Sequence, residues 1–170
     1  MDSGFEPRFG KTVIPLFMGD IVATDDDVMY STILGSCVSV VLHDPRRGAG
    51  GMIHYLMPDA PDRPLAPEDA GEYGGPALAA LVGKMEALGC RAANLQAKVF
   101  GGSSLLLPRE AGVYSVGPRN VRVATDFLES RGIPVVRSSV GGNFGRRLYF
   151  DVRSFVVYVR KFRKSPQGAA

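Results

Sequence analysis

Ser31 to Pro58 reads STILGSCVSVVLHDPRRGAGGMIHYLMP. Two short apolar, β-branched runs, Val38–His43 and Gly51–Leu56, flank DPRRGAG, whose proline and glycines are turn residues, so the segment predicts an antiparallel hairpin. Opposed residues in such a hairpin have numbers that sum to a constant, and Cys37 and His54 share a face whenever that sum is odd. A turn centred on Pro45 and Arg46 makes the two direct neighbours. One centred on Arg46 and Arg47 makes them diagonal neighbours, whereas an even register, or a bulge at Gly50–Gly51, separates them.

The pairing matters because a thiol is a strong nucleophile only as the thiolate, and an adjacent imidazole supplies that state by taking the proton. Cys37 and His54 are the candidate catalytic pair. The Gly35–Ser36 turn before the cysteine can present consecutive backbone N–H groups to one concavity, so the amides of Ser36 and Cys37 are candidates for holding an oxyanion. The bland alternative is a buried structural cysteine and a satisfied strand histidine. A metal site built from Cys37, His43 and His54 is a third reading, but it lacks the short ligand spacings of zinc sites, so neither a metal nor an organic cofactor is expected.

Around this hairpin, 170 residues with 45% hydrophobic content predict one domain with a sizeable core. No apolar run approaches the roughly 20 residues of a membrane span, and the N-terminus lacks the apolar centre of a signal peptide. A cytoplasmic protein with no membrane insertion is expected. Cys37 and Cys90 are then both reduced, with Cys90 a small structural hydrophobe at a helix end.

Strands are predicted at Lys11–Phe17, Ile21–Ala23, Val28–Leu34, Asn94–Phe100, Ile133–Ser138, Arg146–Val152 and Phe155–Lys161, besides the two of the hairpin. Asp59–Gly75 reads as a long surface loop. Helical spacing of Leu78, Leu81, Val82, Met85 and Leu88 after Pro76 predicts one amphipathic helix, and Val121, Ala124, Phe127 and Leu128 after Pro118 predict a second. The fold class is therefore α/β, a single domain with two main helices packed on a mixed, largely antiparallel sheet, and the strand-rich first half points to a second sheet layer. Gly101–Gly102 and Gly141–Gly142 match no phosphate-binding motif and read as tight turns or as close backbone approach to a peptide substrate. The C-terminal basic residues Arg146, Arg147, Arg153, Arg160, Lys161, Arg163 and Lys164 read as a solvated face, with no nucleic-acid partner expected.

LGSCVSVVLHDP and GGMIHYLMP, followed in order by AKVFGGSSLL, VGPRNVRVATDFLESRGIPVV and SSVGGNFGRRLYFDV, resemble the chemoreceptor glutamine deamidase family, CheD. The resemblance spans residues 12–162 and implies an α/β/β layered sandwich between a flexible N-terminus, 1–11, and a flexible C-terminus, 163–170. It implies a cysteine hydrolase that converts glutamine side chains on methyl-accepting chemoreceptors to glutamate with release of ammonia, and in some members also hydrolyses receptor glutamyl methyl esters. The nucleophile falls on Cys37 and the general base on His54. The third member, a hydroxyl residue six positions before the cysteine, falls on Ser31, where the family usually has threonine, and Thr32 beside it is the alternative if the register shifts by one. Expected partners are the cytoplasmic helical bundle of a chemoreceptor and a CheC-type chemotaxis phosphatase. The competing function is a non-catalytic adaptor that binds the same partners.

Overall fold

The computed structural model describes residues 3–104 and 115–163. Along the chain run β1 (Gly4–Glu6), β2 (Lys11–Pro15), β3 (Ile21–Thr24), β4 (Met29–Leu34), β5 (Val38–Asp44), β6 (Ala49–Tyr55), α1 (Gly74–Ala87), β7 (Gln96–Gly101), α2 (Val116–Ser130), β8 (Val135–Val140), β9 (Gly145–Asp151) and β10 (Val157–Phe162). Sheet A has the strand order β1-β2-β4-β9-β10, and sheet B the order β3-β6-β5-β7-β8. Each is mixed, with one parallel pairing, β2 with β4 in sheet A and β7 with β8 in sheet B.

The three layers follow from where the apolar residues point. β5 and β6 are buried along their whole length, which is why both read as nearly continuous apolar runs and not as alternating ones. On one face Val38, Val40, Leu42, Ile53 and Tyr55 pack against Leu78, Leu81 and Met85 of α1 and Ala124 and Leu128 of α2. On the other, Val41, Met52 and Phe100 meet Tyr30, Leu34, Leu148 and Phe150 of sheet A. The α/β/β sandwich expected from the sequence is the architecture found.

The β5–β6 register pairs Ser39 with His54 and Asp44 with Ala49, so Arg46 and Arg47 are the centre of the turn. Asp44 builds that turn. Its Oδ1 accepts the N–H groups of Arg46 (2.9 Å) and Arg47 (3.3 Å), its carbonyl accepts the Gly48 N–H (2.9 Å), and Gly48 supplies the left-handed backbone (φ +66°) that closes it. These N–H bonds, with one from Arg91, outweigh burial and hold the Asp44 carboxyl below the usual range.

Other expectations are refined by the structure. Part of the segment 1–11 is a strand, β1, paired with Lys11–Val13, while residues 164–170 of the expected C-terminal tail lie outside the described residues. The 59–75 segment contains a 3-10 turn, Pro67–Glu72, and returns to the body, where the Glu72 carbonyl accepts the N–H groups of Leu56 and Met57 at 3.0 Å each. Arg146, read from the sequence as part of a solvated basic face, is almost fully buried between the sheets. Its guanidinium donates to Ser103 Oγ (2.6 Å), Ser139 Oγ (3.1 Å) and the Gly141 carbonyl (2.7 Å) and lies over the Phe144 ring, 4.5 Å from its centroid. Neighbouring groups thus satisfy most of what burial would otherwise leave unpaired.

At Gly101 the close approach is to the protein's own backbone and not to a peptide substrate. The Gly101 φ is +108°, and a Cβ there would overlap the Cys37 carbonyl oxygen, so β7 can lie against the cysteine turn only with glycine at this position. Gly83, in α1, has nothing within 4 Å of where its Cβ would stand. Gly101→Ala is expected to destabilise the fold by roughly 2–4 kcal/mol in urea unfolding, and Gly83→Ala to stabilise it by about 0.5–1 kcal/mol.

Candidate active site

Cys37 lies in the turn between β4 and β5, and His54 near the end of β6. Because Ser39 is directly opposite His54, Cys37, two residues back along the same strand line, faces the same side as a diagonal neighbour. Both side chains reach the inter-sheet layer and line a groove of about 560 Å³ that opens where β2 leaves β4, with Phe17 and Met18 as its apolar wall. The backbone of His54 is stapled to that wall's loop, its carbonyl accepting the Gly19 N–H (2.8 Å) and its N–H donating to the Asp20 carbonyl (3.3 Å).

The hydroxyl that meets His54 belongs to Thr32. Thr32 Oγ1 lies 2.9 Å from His54 Nδ1 and 2.7 Å from the carbonyl oxygen of Leu16. This corrects the expectation for Ser31, whose side chain, one residue away on a strand, points to the opposite face of sheet A. Ser31 lines the same groove, and its carbonyl accepts the Leu16 N–H at 2.7 Å.

Those two distances fix the imidazole tautomer. A hydroxyl has one proton, and a carbonyl oxygen can only accept, so at 2.7 Å the Thr32 proton goes to Leu16. Toward His54, Thr32 Oγ1 is then the acceptor, Nδ1 carries the ring proton, and Nε2 is left with its lone pair. Nε2 is buried and has no hydrogen-bond partner among the described residues, and the same holds for Oγ of Ser39 directly across the ladder.

Burial pushes His54 down to about 4, and the Asp20 carboxylate recovers only part of that shift. Burial also raises the Cys37 thiol above its ordinary value, opposed in part by its own backbone N–H. The resting pair is therefore thiol and neutral imidazole. An imidazole in that state can accept a proton at neutral pH, which an imidazolium cannot.

The cysteine turn is held through its carbonyls. Gly35 accepts the Ser103 N–H (2.9 Å), Ser36 accepts Nδ2 of Asn120 (3.1 Å), and Cys37 accepts the Gly102 N–H (2.9 Å). Among the described residues neither the Ser36 nor the Cys37 N–H donates to a backbone carbonyl. Sequence reasoning missed Asn120. It is fully buried on α2, and its Nδ2 also donates to the Leu56 carbonyl at 2.8 Å, so one amide ties the cysteine turn to the end of the histidine strand. An asparagine on the buried face of an otherwise amphipathic helix was the available signal. Ser39 was missed too, since a serine within an apolar strand resembles a neutral filler.

His43 does not join the group. It sits six residues from Cys37 along the strand line, about 20 Å away at the rise of a strand, stacked on Phe155 with ring centroids 4.8 Å apart. The three residues of the metal reading therefore cannot ligate one ion. Cys90 is buried in the helix-side core.

A thiol, a neutral imidazole with one nitrogen free, and a hydroxyl that orients it are groups competent for nucleophilic acyl transfer. The chain matches the family model described as CheD chemotactic sensory transduction over residues 56–161. It is 38% identical over 159 residues to the "Probable chemoreceptor glutamine deamidase CheD 1" of Geobacter sulfurreducens, covering 91% of this chain and 79% of that protein. A protein of the same name from Shewanella oneidensis is 35% identical over 162 residues, 94% of this chain and 77% of that one. Among solved structures, the Bacillus licheniformis hypothetical protein YfiH aligns with a TM-score of 0.46 at 18% identity, over 71% of this chain and 50% of that chain, too distant a likeness to bear on function. This chain belongs to the CheD family.

Thr32→Val keeps the side-chain shape but strands the Leu16 carbonyl and His54 Nδ1 in a buried setting. Urea unfolding should show a loss of about 1–3 kcal/mol, whereas Ser31→Ala should stay within about 0.5 kcal/mol of the parent. The reverse ranking would return the third position to Ser31.

Proposed function

We propose that this protein is a cysteine-dependent deamidase that converts glutamine side chains on chemoreceptors to glutamate. The observation that carries the reading is the bare, buried Nε2 of His54, presented into the groove that Cys37 also lines. The names of the CheD relatives supply the substrate class.

The reaction follows from the protonation states. As Cys37 Sγ attacks the carboxamide carbon, His54 Nε2 takes the thiol proton, and the developing imidazolium is stabilised at Nδ1–H by Thr32 Oγ1. The amides of Ser36 and Cys37 hold the carboxamide oxygen as it becomes an oxyanion. Nε2–H then protonates the leaving nitrogen, the C–N bond breaks, and ammonia departs from a thioester. Water enters between Nε2 and Ser39 Oγ, gives its proton to Nε2 and attacks the thioester, and that proton returns to the departing thiolate. Glutamate and the free thiol result. A glutamyl methyl ester has the same carbonyl geometry with methanol as leaving group, so an accessory esterase activity uses the same groups.

Intact-mass analysis of a receptor cytoplasmic fragment tests the reading, since each amide-to-acid exchange adds about 1 Da. Wild type should produce the shift, Cys37→Ala should produce none while remaining folded, and His54→Gln should be slowed at least about a hundredfold. Because His54 titrates near 4, kcat/KM should hold steady from neutrality down to about pH 5 and decline only below. Turnover by Cys37→Ala, or an acid limb at the ordinary histidine value of 6.5, contradicts the mechanism.

A further inference from the structure

Both helices pack on sheet B, so the outer face of sheet A carries no layer among the described residues. Across that face Ile33 of β4, Arg147 of β9 and Arg160 of β10 stand side by side in register. The adjoining row, Ser31, Tyr149 and Tyr158, is partly covered by Phe9, whose ring lies 5.1 Å from that of Tyr149 and 5.2 Å from that of Tyr158. No ring contact covers the Ile33–Arg147–Arg160 row among the described residues, and Ile33 is 46% exposed. Ile33 and Arg147 also line the groove that leads to Cys37, so the row continues the site around the edge of β4 beyond Ser31, where its pairing with β2 ends.

The charge on this row is unbalanced. Arg147 and Arg160 are directly opposed across the β9–β10 ladder, and like charges in that position repel. No carboxylate among the described residues pairs with either. Two opposed arginines thus cost the free protein stability, and an anion laid between them removes the cost and gains two charge-assisted contacts.

We propose that the Ile33–Arg147–Arg160 row is the docking strip for the acidic stretch of substrate polypeptide flanking the target glutamine. Carboxylates of that stretch lie between the two guanidinium groups, an apolar side chain rests on Ile33, and the glutamine turns over the edge of β4 into the groove. A peptide fits better than a nucleic acid here, because the row runs into the groove that Cys37 and His54 line, where the deamidase reading calls for a protein glutamine. The inference rests on the deamidase reading and adds the chemistry by which the substrate is chosen.

Steady-state deamidation of a chemoreceptor cytoplasmic fragment by wild type, Arg160→Glu and the Arg147→Glu/Arg160→Glu double variant tests it. KM should rise at least about tenfold in the double variant with kcat within about twofold, the signature of lost binding away from the reacting atoms. Wild-type KM should climb with added salt and that of the double variant should not. Iodoacetamide alkylation of Cys37 in Arg160→Glu, mapped by peptide mass to separate it from Cys90, should keep the wild-type rate and shows that the site is intact. An unchanged KM, or a fall in kcat at constant KM, overturns the docking strip while leaving the deamidase reading in place. Wild type that turns over no fragment overturns both. A single-stranded oligonucleotide that competes with the fragment on wild type but not on the double variant assigns the strip to nucleic acid and overturns the proposal.

Discussion

The register of the β5–β6 hairpin is the constraint on which the site depends, and it is set at the end of the hairpin remote from the chemistry. Hydrophobic pattern alone specifies it weakly, because both strands are apolar on both faces and a slip by one exchanges Val40 for Val41 and Ile53 for Met52 with little change in character. The slip would nevertheless turn His54 toward the helix layer and away from Cys37. What prevents it is the turn at Arg46–Arg47, closed by the Asp44 carboxylate and by a left-handed Gly48. A carboxylate that gathers backbone N–H groups about 20 Å from the thiol thus decides which way the imidazole faces.

Orientation within that face is a matter of polar satisfaction. Thr32 has one proton, and spending it on the Leu16 carbonyl obliges His54 to donate through Nδ1. Buried polar atoms without partners are otherwise scarce, since each costs about 1–3 kcal/mol. Two of those found among the described residues, His54 Nε2 and Ser39 Oγ, belong to residues paired across the β5–β6 ladder. In the proposed mechanism these two unmet positions serve the thiol proton and the attacking water. The unpartnered Nε2 of His43, stacked under Phe155 at the other end of β5, has no such explanation in the structure.

Much of this was legible in the sequence. The hairpin, both helices and a layered α/β architecture follow from apolar periodicity and turn residues, and those signals are local; parity allowed Cys37 and His54 to share a face, as the observed register has them do. The turn centre was not legible, because DPRRGAG offers two adjacent registers and the choice is made by hydrogen bonds of Asp44 that a pattern does not encode. Ser31 and Thr32 could not be ranked for a similar reason. Along β4 the outward Ile33 is as apolar as the inward Leu34, so alternation fails to mark the buried face, and only the tertiary contact with Leu16 distinguishes the two hydroxyls. Asn120 was passed over and Arg146 read as exposed because polar residues are taken as exposed by default, whereas here each is buried with hydrogen-bonding partners, the Ser36 and Leu56 carbonyls for Asn120 and Ser103 among those for Arg146.

The measurement that most directly tests the arrangement is nitrogen NMR of the His54 ring in uniformly labelled protein, with His54→Gln used to assign the signals. A proton resident on Nδ1, a bare Nε2, and no titration between neutrality and about pH 5 are the expected results. A proton on Nε2, or an imidazolium forming near the ordinary histidine value of 6.5, would contradict both the Thr32–Leu16 lock and the neutral base it presents to Cys37.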